Sequence, residues 1–269
     1  MPKAAEQVMV MCAQPDIDLR AVAEVVATDP ALSAELLRIA NSPVYGRYGK
    51  IDDLTQATLT VGLSELQSMA AAMGMLAAFA AREELGLHFQ EVALLTGTLA
   101  HRLAARHATV KESTAFVGGL LKEIGALALL AIEPAAYGQL WQEAVGGWEG
   151  WGKARAADRS HAERQLFATT SAAVGAALLQ RNHLPASLVD AVTCDFSVEV
   201  PTGDLTRLIH LASFTVPAVL RFSHHLDLEA LSQELADLAA LRPPTLSAAD
   251  LQQLGIDAVL QGKARLDGD

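Results

Sequence analysis

Apolar residues recur every three to four positions along most of the chain, a spacing that is typical of amphipathic helices. The clearest case begins at Asp29-Pro30, where Asp is a favoured N-cap and Pro lacks an N–H that the first helical turn does not need. Leu32 and Leu36 then continue the apolar face until Asn41-Ser-Pro43 interrupts it. This pattern predicts a helix over about 30–41.

The same spacing predicts further helices that are separated by Gly, Pro and polar breakers. They cover about 54–60, 64–82, 88–107, 112–132, 159–168, 170–182, 185–194 and 205–222, with two or three short helices in 227–262. Capping boxes are predicted at Ser64 with Gln67 and at Ser247 with Asp250. No convincing strand pattern occurs, so the predicted fold is all-α, an irregular multi-helix domain with a small C-terminal helical tail.

Composition supports this fold class. Of the 269 residues, 51% are apolar but only 5% are aromatic, so Ala, Leu, Val and Ile must fill the core. Such a core favours closely packed helices. Gly118-Gly119 lies inside a helical pattern and is interpreted as a point of close helix packing. The apolar run Met69–Ala81 is shorter than the roughly 20 residues that span a bilayer, which predicts a core helix.

Charge and cysteine content narrow the function classes. A formal charge of −11 argues against binding to nucleic acid or to anionic membranes. The amino terminus lacks the pattern of a secretory signal, so a cytoplasmic location is expected. Cys12 and Cys194 are far apart and lack ligand spacing, which predicts buried, reduced thiols.

Common catalytic motifs are missing from the sequence. There is no Gly-x-Ser-x-Gly, no phosphate-binding Gly-x-x-x-x-Gly-Lys-Ser/Thr and no His-Glu-x-x-His. The eight histidines form no recognised ligand pair within a helix, so each is interpreted as a surface or packing residue.

Several blocks of sequence, taken in order, resemble one family. They are the run from Asp29-Pro-Ala-Leu through Asn41-Ser-Pro-Val-Tyr-Gly46, then 51–57, 61–63, 115–125 and 174–185. These blocks resemble the HDOD domain, an output domain of bacterial signalling proteins that is related to HD-domain phosphohydrolases. The resemblance covers about 5–225 and implies an all-α fold, generally without demonstrated catalysis. It predicts an HDOD domain over 1–225 and a helical tail over 226–269.

The resemblance also locates the metal site of an active HD enzyme, and this chain departs from it. The His-Asp dyad falls at Lys122-Glu123, and further ligand positions align with Gly97, Ser171 and Asp195-Phe196. Protonated Lys has no free lone pair, Gly has no side chain, Phe is apolar and Ser is a weak ligand. Glu123 and Asp195 alone fall short of a hydrolytic site. We therefore expect no catalysis, no bound metal and no cofactor.

Two interpretations of Lys122 and Glu123 remain open. On a continuous helix, adjacent residues lie about 100° apart, so the two side chains would not pair with each other. They are either surface or interface charges, or Lys122 supplies a fixed positive charge to the old metal position and holds a nearby Glu or Asp195. The second interpretation gives a salt-bridged core or an anion-binding pocket.

Two other segments are candidates for binding. Asn41-Ser42 is interpreted as a helix cap and loop anchor, with ligand recognition as the alternative. Residues 146–160 look like an insertion and contain Trp148 and Trp151, which either cover a pocket, dock a partner or pack locally. The basic residues of this insertion are Lys153, Arg155 and Arg159.

The leading functional hypothesis is a non-catalytic regulatory module that binds a signalling protein or a small anionic ligand. The alternative is a divergent metal-dependent phosphohydrolase acting on phosphomonoesters, phosphodiesters or cyclic nucleotides through Glu123 and Asp195. A third hypothesis is a scaffold that forms homo-oligomers through its Ala-rich helices.

Overall fold

The computed structural model describes residues 3–12, 14, 16–41, 51–79, 84–107, 109–147, 156–193, 202–223 and 228–266. Within these ranges every regular element is helical. The prediction of an all-α fold is confirmed. The chain divides into two compact units, Met1–Ala78 and Phe79–Asp269.

The first unit contains five helices packed around aliphatic side chains. They are α1 (Lys3–Cys12), α2 (Leu19–Ala27), α3 (Pro30–Ala40), α4 (Leu54–Val61) and α5 (Leu63–Ala78). Helix α3 begins as predicted, because the Asp29 carboxylate accepts the N–H groups of Ala31 and Leu32 at 3.0 and 3.1 Å. Val22, Leu36 and other fully buried residues fill the interior of the unit.

The junction between α4 and α5 corrects one predicted cap. Gly62 adopts φ 91°, a conformation that favours glycine, and α5 begins at the next residue, Leu63. Ser64 therefore lies within the helix, where its carbonyl accepts the Ser68 hydroxyl at 2.9 Å. The glycine turn, and not a capping box at Ser64, starts α5.

The second unit contains ten α-helices among its described residues. They are α6 (Glu84–Ala104), α7 (Glu112–Leu121), α8 (Ile124–Ile132), α9 (Pro134–Leu140), α10 (Ala156–Phe167), α11 (Ser171–Arg181), α12 (Ala186–Thr193), α13 (Asp204–Ser223), α14 (Leu228–Ala236) and α15 (Ala248–Leu266). A π-helical turn, Trp141–Val145, extends α9, and a 3₁₀ turn, Ala239–Leu241, follows α14.

The predicted tail is part of the core of this unit. Leu235 and Leu251, from α14 and α15, are fully buried in the same apolar cluster as Leu99 of α6 and Leu211 of α13. Ser247 caps α15 as predicted: its hydroxyl accepts the Asp250 N–H, and the Asp250 carboxylate accepts the Ser247 N–H. The domain boundary at 225/226 stays a prediction, although these helices share one hydrophobic core with α6 and α13.

The single helix predicted over 112–132 is wrong. The chain turns at Lys122-Glu123, where Glu123 adopts φ −105° and ψ 14°, and this turn separates α7 from α8. Every residue here is compatible with a helix, so local sequence does not cause the break. Helix α7 packs along α6 whereas α8 packs along α11, and the two different partners require a change of direction.

Glycines allow these helices to approach closely. A Cβ added to Gly119 would lie 2.6 Å from the Cα of Gly97, across the α6–α7 contact. A Cβ on Gly118 would lie 2.2 Å from Cδ1 of Ile209, and one on Gly125 would lie 1.9 Å from the carbonyl oxygen of Ser171. The predicted packing role of Gly118-Gly119 is confirmed.

Two further features concern burial. The stretch Glu112–Ile132 is apolar and long enough to cross a membrane by composition alone, but 83% of its most apolar window is buried inside the protein, as in a core helix. Cys12 is partly buried, and burial raises the pKa of its thiol to about 11. The Cys12 thiol is therefore protonated at neutral pH; Cys194 lies outside the described residues.

Candidate functional site

Glu123, at the turn between α7 and α8, forms a buried ion pair. Its side chain is 5% exposed, and its Oε2 accepts a hydrogen bond from the Arg159 guanidinium at 2.8 Å. Arg159 comes from the first turns of α10, and its side chain is 12% exposed. A charge-assisted hydrogen bond with so little exposure to solvent is among the stronger polar contacts in a protein.

Glu163 lies one helical turn after Arg159 and is fully buried. The Tyr137 hydroxyl donates to its Oε1 at 2.8 Å, and Arg159 Nε lies 3.7 Å from the same oxygen. The Ser171 N–H and hydroxyl both donate to Oε2, at 2.7 and 3.0 Å. Because Ser171 is the first residue of α11, the carboxylate also satisfies an N–H at a helix N-terminus, where negative charge is favoured.

We call these five side chains, Tyr137, Arg159, Glu123, Glu163 and Ser171, the Arg159 cluster. Burial by itself lowers the pKa of the Arg159 guanidinium, but the carboxylates of Glu123 and then Glu163 outweigh it and raise that pKa above its usual value. Arg159 is therefore a permanent positive charge between two buried carboxylates.

Two residues that the resemblance aligns with metal ligands of HD enzymes, Gly97 and Ser171, are used in packing or hydrogen bonding. A Cβ on Gly97 would lie 2.9 Å from the carbonyl oxygen of Phe116, so the α7 backbone occupies the space that a side chain would need. Ser171 uses its hydroxyl on Glu163. Asp195 and Phe196 lie outside the described residues. Within the described part of the chain, no group of three or more His, Cys, Asp or Glu side chains is arranged to hold a metal ion.

Comparison with known families decides the classification of the chain. The model of the HDOD domain matches residues 1–197, which is well over half of the sequence. The chain belongs to the HDOD family. A comparison with curated proteins finds no match.

Solved structures share the fold of this HDOD protein at low sequence identity. A protein from Shewanella amazonensis SB2B, whose name proposes a phosphohydrolase, is 23% identical with a TM-score of 0.66, covering 98% of this chain and 93% of its own. An HDOD domain protein of unknown function from Geobacter sulfurreducens is 18% identical with a TM-score of 0.60, covering 100% and 92%. A protein from Marinobacter aquaeolei VT8, whose name proposes signal transduction, is 16% identical with a TM-score of 0.54, covering 99% of this chain but 58% of its own.

The HDOD structure changes the interpretation of Lys122. Lys122 and Glu123 lie at a turn between helices, not on a continuous helix. The Lys122 ammonium donates to the carbonyl of Val192 at 3.3 Å, whereas Glu123 is bound by Arg159. Glu123 thus lies in a buried ion pair with Arg159, a cation that neither interpretation of Lys122 and Glu123 named.

Arg159 lies where the predicted 146–160 insertion meets the predicted helix over 159–168, and the sequence did not predict its ion pair. It belongs to α10, which starts at Ala156, three residues before the predicted helix. The sequence did contain a signal, because Arg159 and Glu163 are four residues apart in a segment with few apolar positions, a spacing that places both on one helix face. Tyr137 carried no comparable signal, since its partner is 26 residues away.

Asn41 uses its amide on the backbone. Its Nδ2 donates to the carbonyls of Leu37 and Ile51 at 2.8 and 2.6 Å, and its Oδ1 accepts the Ile51 N–H at 2.7 Å. These bonds tie the end of α3 to residue 51, as expected for a loop anchor. Ser42, Trp148 and Trp151 lie outside the described residues, so their binding roles stay predictions.

A second buried contact between polar side chains was not predicted from the sequence. His101 of α6 and Glu112 of α7 approach to 3.2 Å, with side-chain exposures of 9% and 1%. His101 is thus a packing residue, as interpreted, and the carboxyl group beside it comes from another helix. Such a pair helps to specify how α6 and α7 meet, in addition to the glycine contact described above.

The buried phenol of Tyr137 predicts a pH dependence. Burial, followed by the neighbouring Glu163 carboxylate, raises the pKa of Tyr137 well above its usual value near 10. The phenol therefore stays protonated in the folded protein but ionises in the unfolded chain, so its contribution to stability is present below about pH 10 and is lost as the pH rises further. Tyrosinate absorbance of wild type should exceed that of Tyr137→Phe only once the protein unfolds. An extra phenol that titrates near pH 10 in the folded protein would contradict this.

Proposed function

We propose that this HDOD protein is a non-catalytic regulatory module that acts by binding another signalling protein, with a small ligand as the alternative occupant. The proposal also places this protein in the cytoplasm. The observation that carries the proposal is the Arg159 cluster, in which a side-chain cation holds the carboxylate that stands at the HD dyad position.

The chemistry of that cation supports a role without hydrolysis. A metal in a phosphohydrolase binds water, lowers its pKa and polarises the phosphoryl group through open coordination positions. A guanidinium has only N–H donors and offers no coordination position to water. Glu123 is bound by Arg159, and Ser171 is bound to Glu163. Two of the residues that the resemblance aligns with metal ligands, Glu123 and Ser171, therefore already have partners within the protein.

The net charge supports a protein partner. A charge of −11 disfavours nucleic acid and anionic membrane surfaces, and an anionic ligand would need a local cation. Arg159 already lies between two carboxylates, and the Lys122 ammonium bonds to the carbonyl of Val192. Association of the chain with itself is a further outcome for the test to distinguish.

The test combines capture of partners with assays of the same preparation. Tagged wild type should retain specific signalling proteins from its native cell, and the Trp148→Ala/Trp151→Ala variant should lose them if these indoles form the docking surface. Leu87→Ala, which removes a side chain that is 54% exposed on α6, is the matched control and should retain them. Recovery of only the chain itself, with a dimer in light scattering, would favour the scaffold hypothesis.

The purified protein should also be assayed for divalent metal and for hydrolysis of phosphomonoesters, phosphodiesters and cyclic dinucleotides. We expect no stoichiometric metal and no turnover, because Glu123 is engaged by Arg159. Metal bound at one equivalent, together with turnover that Glu123→Gln abolishes, would replace the proposal with the phosphohydrolase alternative.

A further inference from the structure

Helix α10 differs from its neighbours in how it is attached. Its only fully buried residues are the polar Ser160 and Glu163, whereas α8 buries most of its apolar residues and α11 buries Gly175, Ala176 and Leu179. All twelve residues of α10 are described, and Phe167 at its end is half-buried against the Tyr137 ring, 6.0 Å between centroids. Helices are usually held by an apolar face. That of α10 is small, with Ala156 partly buried against the core cluster at one end and Phe167 at the other.

Polar bonds instead connect α10 to three other elements. Arg159 reaches Glu123 at the α7–α8 turn, and Glu163 reaches Tyr137 on α9 and Ser171 at the start of α11. Two charged residues of α10 therefore form hydrogen bonds to all three elements. Each also depends on the other, because they lie four residues apart on the helix and Arg159 Nε is 3.7 Å from Glu163 Oε1.

Such an attachment has a particular energetic character. When an apolar face detaches, it exposes hydrocarbon to water, but when buried ions detach they recover hydration that partly offsets the lost bonds. Local opening is favoured where few apolar contacts hold a segment. The charged groups of the Arg159 cluster would each regain water once α10 separates from the body of the unit.

We propose that α10 is a releasable strap: the whole helix detaches while the rest of the second compact unit stays folded. Arg159 is the residue that stabilises the closed, attached state. Opening uncovers Glu123, the Tyr137 hydroxyl and the N-terminus of α11. The strap rests on the proposed function only in that its opening is the event that a bound partner would regulate.

Hydrogen exchange of the full chain, read by mass spectrometry on peptides, tests this without a partner. In wild type, the amides of α10 should exchange faster than those of α8 and α11, because α10 opens locally more often. Arg159→Met keeps an unbranched apolar side chain and removes the charge, and it should increase α10 exchange by about ten- to a hundredfold, as expected for loss of a charge-assisted bond. Exchange of α8 and α11 should change by less than about threefold.

Two further variants complete the design. Glu123→Gln removes the opposite charge from the body of the unit and should also increase α10 exchange. Arg181→Met makes the same change at an exposed position of α11 and should leave α10 exchange unchanged. Equal exchange of α10, α8 and α11 in wild type would overturn the proposal, as would a uniform increase across all peptides in Arg159→Met. Either result is independent of whether partners are captured, so failure of the strap and failure of the proposed function remain distinguishable.

Discussion

Replacing Gly125 by alanine should destabilise the protein by about 3 kcal/mol or more, at or beyond the upper end of the usual cost of overpacking. The added methyl group would lie 1.9 Å from the carbonyl oxygen of Ser171 and 2.7 Å from the Gly175 nitrogen. Both atoms belong to the backbone of α11, so no side-chain rotation can relieve the clash. Helices α8 and α11 must separate or shift, which also disturbs the bonds from Ser171 to Glu163.

The chain offers a matched control for this substitution. Gly138 lies within α9, and a Cβ placed there meets nothing within 4 Å. Gly138→Ala should therefore leave stability unchanged or raise it by about 0.5–1 kcal/mol, because alanine is the better helix former. Urea unfolding of both variants gives the comparison. Equal stabilities for the two variants would show that α8 and α11 are not in close contact at Gly125.

Local signals account for the parts of the fold that the sequence predicted well. Asp29 with Pro30 and Ser247 with Asp250 act within one helical turn, so their residue types suffice to locate the starts of α3 and α15. The turn at Lys122-Glu123 has no such signal. It follows from the packing of α7 and α8 on different helices, which a helical periodicity cannot show.

The site was predicted in part for the same reason. Resemblance located Glu123 and Ser171, and the chemistry of the replaced ligands suggested that a basic side chain takes over part of the metal's place. Distance along the chain then hid the identity of that side chain, because Arg159 is 36 residues from Glu123, whereas Lys122 is adjacent. The sequence suggested Lys122 as one candidate cation for the site and left a surface charge open as the alternative.

Glycine contacts and buried ions have complementary effects on this protein. Gly119 against Gly97 and Gly125 against Ser171 bring backbones together where side chains would otherwise project. The Arg159 cluster then adds hydrogen bonds from α10 to the turn before α8 and to the first residue of α11. We therefore expect that introducing one ligand side chain at Gly97 would not create a metal site, because it must compete with backbone atoms for space.

Gly97→His tests that conclusion directly. The substitution returns an imidazole to a ligand-equivalent position, but its Cβ would lie 2.9 Å from the Phe116 carbonyl oxygen and 3.2 Å from Cγ of Leu120. We expect a loss of about 3 kcal/mol or more in urea unfolding and no stoichiometric zinc by metal analysis. Gly97→Ala is the graded control and should lose less, because a methyl group needs only a small separation of α6 from α7. A Gly97→His protein as stable as wild type that binds one zinc ion would show that the space between these helices is open to a ligand, and it would weaken the argument that packing has closed the old metal position.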